Sequence, residues 1–196
     1  MTDAVDALSA SLHDLSVSPD TLPVKGFRPP EGQWQPRPAA VLIAILMQPE
    51  PSLVLTVRSQ AMIKHAGQVA LPGGGRSGFE AFPVQTALRE AHEEVGIDPG
   101  GVRLLGFLDR FDTITAYRIT PVVGRIDQPV TLKACPSEVR EVFLLPLDHA
   151  LDPSSYRRHE ITRNGFTFEV WSMKFGTRPI WGATAAILHQ LAQTNA

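Results

Sequence analysis

Cysteine is almost absent from this chain: Cys135 is the only one in 196 residues. A lone thiol closes no intrachain disulfide, and it excludes a zinc site built on cysteines. That scarcity fits a reducing compartment. The opening residues, MTDAVDALSASLHDL, lack the basic start and long apolar run of a signal peptide. No apolar run reaches the ~20 residues needed to cross a bilayer. The expectation is a cytoplasmic protein. A large excess of charge of one sign is also missing: the net charge is −2. No global field therefore recruits nucleic acid or an anionic membrane, and neither is expected as a partner. Fixed-period repeats and low-complexity tracts are absent as well.

What is present is a hydrophobic fraction of 43%, enough to build a core in one embellished domain. Val5, Leu8, Leu12 and Leu15 recur at helical spacing across residues 3–15. This helix either caps the rest of the fold or makes a dimer contact. Residues 16–38 are rich in proline and polar side chains and read as an irregular crossing. Residues 39–47 form a continuous apolar run, the pattern of a strand buried on both faces. A turn over 48–52 and a strand over 53–57 complete a hairpin. Residues 72–82 read as a loop containing Gly73, Gly74, Gly75 and Gly78. Pro83 suits the first turn of a helix, and Gly96 suits the left-handed residue that ends one. Between them, Val84, Leu88, Ala91 and Val95 fall on one apolar stripe. Residues 102–108, 113–124 and 139–145 read as extended. Residues 160–172 read as a hairpin turning at Asn164-Gly165. A closing helix covers 182–191. Several strands with few helices indicate an α/β sandwich.

The stretch Arg89-Glu90-Ala91-His92-Glu93-Glu94-Val95-Gly96-Ile97 carries the chemistry. On a helix, Glu90, Glu93 and Glu94 stand at i, i+3 and i+4, so the three carboxylates share one face, away from the apolar stripe. Like charges at this spacing destabilise a helix by about 0.2–0.5 kcal/mol per pair. Two readings offset that cost: a solvated acidic face, or a hard divalent cation held by carboxylate oxygens.

The preceding glycine loop decides between them. Gly74, five residues, Glu80, a spacer, and then R-E-x-x-E-E-x-G resembles the box of the Nudix hydrolases. At roughly 6% per residue type, the five fixed positions of the closing motif arise by chance about once in 10⁴ such chains. In two places this chain departs from the pattern. Ala91 is small where the family carries a larger apolar residue, and eight residues rather than seven separate Glu80 from Arg89. Either the loop has gained one residue, or Ala81 stands where the glutamate was; we favour Glu80. The resemblance implies an α/β/α sandwich with a mixed sheet. It also implies Mg²⁺ or Mn²⁺ on a nucleotide pyrophosphate, with Glu93 and Glu94 as ligands. Glu90 is a ligand or the base acting on water. The Gly74 carbonyl is a further ligand, Arg89 belongs to the catalytic set, and Glu80 has a structural role through Arg89. Glu138 is the candidate for an additional carboxylate outside the box.

Flanking segments narrow the resemblance to coenzyme A pyrophosphatases: residues 55–59 (LTVRS), 67–74 (GQVALPGG), 117–124 (YRITPVVG) and 180–185 (IWGATA). The resemblance spans about residues 38–190. The implied division is an N-terminal helix and crossing over 1–37 and the Nudix domain over 38–196. The implied substrate is a small-molecule nucleotide of the coenzyme A type, cut to 3′,5′-ADP and 4′-phosphopantetheine. Arg58, Lys64 and Arg118 are the candidates for its phosphates. Ile63 stands where the family has arginine, and Leu71 where it has phenylalanine. His65 and His92 read as surface residues. Two alternatives remain. One is a Nudix hydrolase of another nucleoside diphosphate derivative, such as ADP-ribose or a dinucleotide. The other is a Nudix-fold sensor that binds a nucleotide without cleaving it; the intact glutamate set argues against it. A monomer and a homodimer are both compatible with the sequence.

Overall fold

The structure, a computed structural model, describes residues 2–28, 35–62, 65–163 and 166–194. Its helices are α1 (Thr2–Ala10), α2 (Val84–Val95), α3 (Leu147–Leu151) and α4 (Ala183–Thr194). The strands are β1 (Val24–Gly26), β2 (Arg37–Leu46), β3 (Ser52–Arg58), β4 (Val69–Ala70), β5 (Gly73–Gly75) and β6 (Arg103–Phe107). They continue with β7 (Arg110–Asp112), β8 (Tyr117–Ile126), β9 (Val139–Pro146), β10 (Arg157–Arg163), β11 (Phe166–Phe175) and β12 (Arg178–Trp181). No helix among the described residues is long and apolar enough to cross a membrane.

Among the described residues, nine strands form one mixed sheet. Its main path runs β1-β7-β8-β2-β3-β4, with β5 paired to β2, β6 to β8 and β9 to β3. β2 and β8 are parallel over ten paired positions, from Arg37↔Tyr117 to Leu46↔Ile126. The apolar run in β2 divides by the period-two rule of a strand. Ala40, Leu42, Ala44 and Leu46 face α2, with Ala87, Ala91 and Val95. Ile43 and Ile45 face the opposite layer, with Val5 and Leu8 of α1 and Ile187, Leu188 and Leu191 of α4. The sheet is therefore covered on both faces, as an α/β/α sandwich requires. A smaller antiparallel sheet, β10-β11-β12, packs with α4.

Several local expectations need correction. α1 stops at Ala10 rather than continuing to Leu15. Instead, His13 forms an antiparallel bridge with Phe107, so tertiary pairing takes over where helical spacing continues. The supposed irregular crossing contains β1, which pairs in parallel with β7. Its sequence, Val-Lys-Gly, is too short to carry a periodic signal. Part of the expected 72–82 loop is β5, whose glycines pair with Ala39–Val41. Thr113 belongs to a turn, and extended structure resumes at Tyr117. The β10–β11 hairpin is present, but its expected turn residues, Asn164 and Gly165, lie outside the described residues.

α1 caps the sheet: Val5 and Leu8 have no solvent exposure. We expect Leu8→Ala to destabilise the protein by about 2–5 kcal/mol, read as a lower urea midpoint. A change below about 0.5 kcal/mol would show that α1 is not part of the cooperative core.

Candidate active site

α2 runs across one face of the sheet with its carboxylates toward β5. Its C-terminus is set by Gly96, which adopts φ 75°, a conformation glycine enters without a Cβ penalty. Thr86, Ala87, Ala91, Glu94 and Val95 are the buried positions. The three glutamates thus do not share one solvent-facing surface. Glu93 is exposed, Glu90 is half-buried, and Glu94 retains 3% of its accessible surface. A helix spreads i, i+3 and i+4 over an arc wide enough for one edge of the set to meet the sheet.

Arg89 organises the outer two. Its guanidinium donates to Glu80, to Glu90 at 2.8 Å, to Glu93 at 2.7 Å and to the Gly75 carbonyl at 3.3 Å. These carboxylates raise the Arg89 pKa further above its ordinary value. Glu80 also accepts from the Thr86 hydroxyl at 2.7 Å and the Ser77 N–H at 3.1 Å. Arg89 first, then Thr86, holds the Glu80 carboxyl down at about 2. The sequence carries no signal for the Thr86 contribution. No local spacing signals that a hydroxyl inside a helix turns back to a loop carboxylate.

Glu94 sits in a different environment. Its carboxylate accepts from the Gly73 N–H at 3.2 Å and lies 3.8 Å from the Arg58 guanidinium. Burial nevertheless dominates and pushes its pKa up to about 7, with the charges of Glu90 and Glu138 acting in the same direction. Burial likewise raises the Glu90 pKa, against the lowering effect of Arg89 and with that of Glu93 and Glu138. Glu138 is exposed and lies just before β9. Its carbonyl accepts from the Ser59 N–H at 2.8 Å, which ties it to the residue after Arg58. Gly74 has a steric reason to be glycine: a Cβ there would stand 2.5 Å from the Glu90 carboxylate.

The structure therefore gathers Gly74, Glu80, Arg89, Glu90, Glu93, Glu94, Arg58 and Glu138 around the junction of β5 and α2. Arg118 instead lines a cleft further along β2, where it pairs with Asp112 at 2.8 and 2.7 Å. Lys64 and Ile63 lie outside the described residues. His92 is exposed, and its ring lies 3.1 Å from the Ile97 carbonyl.

A hard divalent cation fits this donor set chemically. The side-chain donors are all carboxylate oxygens, and two of them have their ionised form disfavoured by burial. A nearby cation removes that penalty. Among the described residues, no three histidine, cysteine or acidic side chains already converge into a cation cage. Arg89 draws Glu90 and Glu93 to itself, while Glu94 turns toward the sheet.

The Glu80 ion pair has a pH signature. Its folded pKa lies below the unfolded value of 4.5. Its stabilisation is therefore complete above about pH 4.5 and is lost as pH falls toward about 2. We expect the urea midpoint of the native chain to exceed that of Glu80→Gln above about pH 5, with the margin shrinking on acidification. A margin unchanged between about pH 6 and about pH 3 would remove the ionic part of this contact.

A sequence model of the NUDIX domain matches residues 36–164. The uncharacterized Nudix hydrolase NudL of Escherichia coli K12 is 44% identical over 156 residues, covering 80% of this chain and 81% of that relative. NudL of Shigella boydii serotype 18 matches with the same identity and coverage. Among solved structures, an Enterococcus faecalis MutT/nudix family protein superposes with a TM-score of 0.52 at 17% identity, over 84% of this chain and 63% of that one. A Caenorhabditis elegans Ap4A hydrolase complex gives 0.50 at 17% identity, over 58% of this chain and 83% of that one. The two superpositions concern the fold alone. With the domain match spanning well over half of the residues, the chain belongs to the Nudix family and is a hydrolase of phosphoric anhydride bonds.

Proposed function

We propose that this hydrolase cleaves the pyrophosphate of coenzyme A or one of its derivatives, giving 3′,5′-ADP and 4′-phosphopantetheine. One observation carries the reading. Residues 55–59, which resemble coenzyme A pyrophosphatases ahead of the box, deliver Arg58 to within 3.8 Å of Glu94 inside it. Arg58 also has a buried Nε without a hydrogen-bond partner among the described residues. A guanidinium in that position favours an incoming anion.

In this proposal Glu90, Glu93, Glu94 and the Gly74 carbonyl hold Mg²⁺ or Mn²⁺, with Glu138 as a further carboxylate. Bound there, the ion would neutralise pyrophosphate charge and acidify water. The chain's own residues do the rest. Gly74 leaves room for the Glu90 carboxylate beside the backbone. Where Glu90 is not itself a ligand, it is the base that takes the proton of the attacking water. The water oxygen forms a bond to one phosphorus, the bridging P–O bond breaks, and the leaving phosphate keeps the electron pair. Arg89 holds Glu90 and Glu93 in register with the loop through Glu80 and Gly75. Arg58, Lys64 and Arg118 supply positive charge to the substrate's phosphates.

Chromatography of coenzyme A incubated with the protein and Mg²⁺ or Mn²⁺ tests this directly. We expect 3′,5′-ADP to accumulate. No cleavage, together with turnover of ADP-ribose, rejects the substrate. Binding of nucleotides without turnover of any would leave a sensor. For the mechanism, Glu93→Gln is expected to lose several orders of magnitude in kcat while remaining folded. A loss under tenfold, about 1.4 kcal/mol, removes Glu93 from the principal ligands. Alanine at Arg58, Lys64 or Arg118 is expected to narrow the preference for coenzyme A over dephospho-coenzyme A. An unchanged preference in all three variants rejects their assignment.

A further inference from the structure

The sheet register builds a second polar cleft beyond the box. β2 and β8 run in parallel with Pro38 beside Arg118 and Ala40 beside Thr120. β7 pairs with β8 so that Asp112 stands beside Arg118. Alternation along β7 and β8 then places Arg110, Asp112, Arg118 and Thr120 on the same face, the one covered by α2. Phe82 enters from the residue pair preceding α2, and Asp20, Gln35 and Pro36 come from the N-terminal segment. Together these residues enclose about 310 Å³, at the small end of ligand sites.

One buried polar group of this cleft has no partner among the described residues. Thr120 is fully buried, and its hydroxyl has no hydrogen-bond partner among the described residues. Leaving such a group unmatched costs free energy, so a buried orphan hydroxyl at a cleft wall marks a place where a partner belongs. Arg118 is held by the buried carboxylate of Asp112. Arg110 donates to the Leu22 carbonyl at 3.1 and 2.8 Å and to the Asp20 carbonyl at 2.7 Å. The Asp20 carboxylate stands 3.5 Å from Arg110 on a side chain with 97% exposure, so an incoming anion displaces it at little cost. Desolvation first, and the charge of Arg118 second, lower the pKa of Arg110. Asp20 and Asp112 thus equal the two arginines in number, but the Asp20 carboxylate is exposed and can be displaced.

We propose that this cleft binds a phosphate monoester, with Arg110, Arg118 and the Thr120 hydroxyl donating to its oxygens and Phe82, Pro36 and Pro38 flanking the attached group. The identity of that monoester as the terminal 3′-phosphate of the substrate rests on the coenzyme A reading; the existence of the site does not. The distance is compatible with one ligand reaching both places. Gly74 pairs with Ala40, and Pro38 is two residues further along β2, about 7 Å at strand rise.

Calorimetric titration of the whole protein in EDTA, with adenosine 3′,5′-bisphosphate and with inorganic phosphate, tests the inference without hydrolysis. The deciding variant is Thr120→Val, which keeps the shape and removes the hydroxyl. We expect it to weaken bisphosphate binding at least tenfold and, with no ligand present, to raise the Tm, because the unmatched hydroxyl is gone. Glu160→Gln, an exposed change on β10, should bind the bisphosphate like the native chain. Native affinity in Thr120→Val, or no binding by the native protein, overturns the site. Binding to the site without any turnover of coenzyme A sinks the proposed substrate and leaves the cleft standing. Binding of inorganic phosphate as tight as that of the bisphosphate overturns the role given to Phe82, Pro36 and Pro38.

Discussion

The Arg89 guanidinium is the joint on which the active region depends. It bonds to Glu80 from the loop, to Glu90 and Glu93 from its own helix, and to the Gly75 carbonyl of β5. The carboxylates of Glu80, Glu90 and Glu93 converge there and repel one another, and a delocalised cation with five donors is the side chain suited to hold them together. The same contacts tie the loop, α2 and β5 into one unit. The position of the glutamates relative to Gly74 follows from that unit.

The sheet supplies the other half of the arrangement. Because β2 is buried on both faces, its register is strongly specified: a slip of one residue would move every side chain to the wrong layer. That register seats Gly73–Gly75 against Ala39–Val41 and hence beneath α2. It also seats Arg118 and Thr120 beside Pro38 and Ala40. The box and the polar cleft are therefore two stations along the same strand, and the core that holds one holds the other.

Burial separates the glutamates into different chemical roles. Glu93 is exposed, whereas Glu94 is sealed against the sheet with a carboxyl pushed up to about 7. Identical side chains within five residues thus differ in how strongly they demand a positive partner. Arg58 and Glu138 enter this environment from distant parts of the chain, and the Ser59 N–H to Glu138 carbonyl bond brings them close.

Sequence by itself determined the elements whose signals are local. The apolar run of β2, the helix between Pro83 and Gly96, the spacing of Arg89, Glu90, Glu93 and Glu94, and the sandwich class were all legible. Periodicity and end signals act over a few residues and need no partner to be read. Tertiary structure alone decided where α1 ends, that Val24–Gly26 and Gly73–Gly75 are strands, and that Thr86 supports Glu80. It also decided that Glu94 is buried and that Arg110 and Thr120 share a cleft with Arg118. Apart from the Thr86 to Glu80 bond, which spans six residues, each depends on a contact between segments far apart in the chain. Such contacts are set by sheet register and burial, and neither leaves a pattern within one short segment.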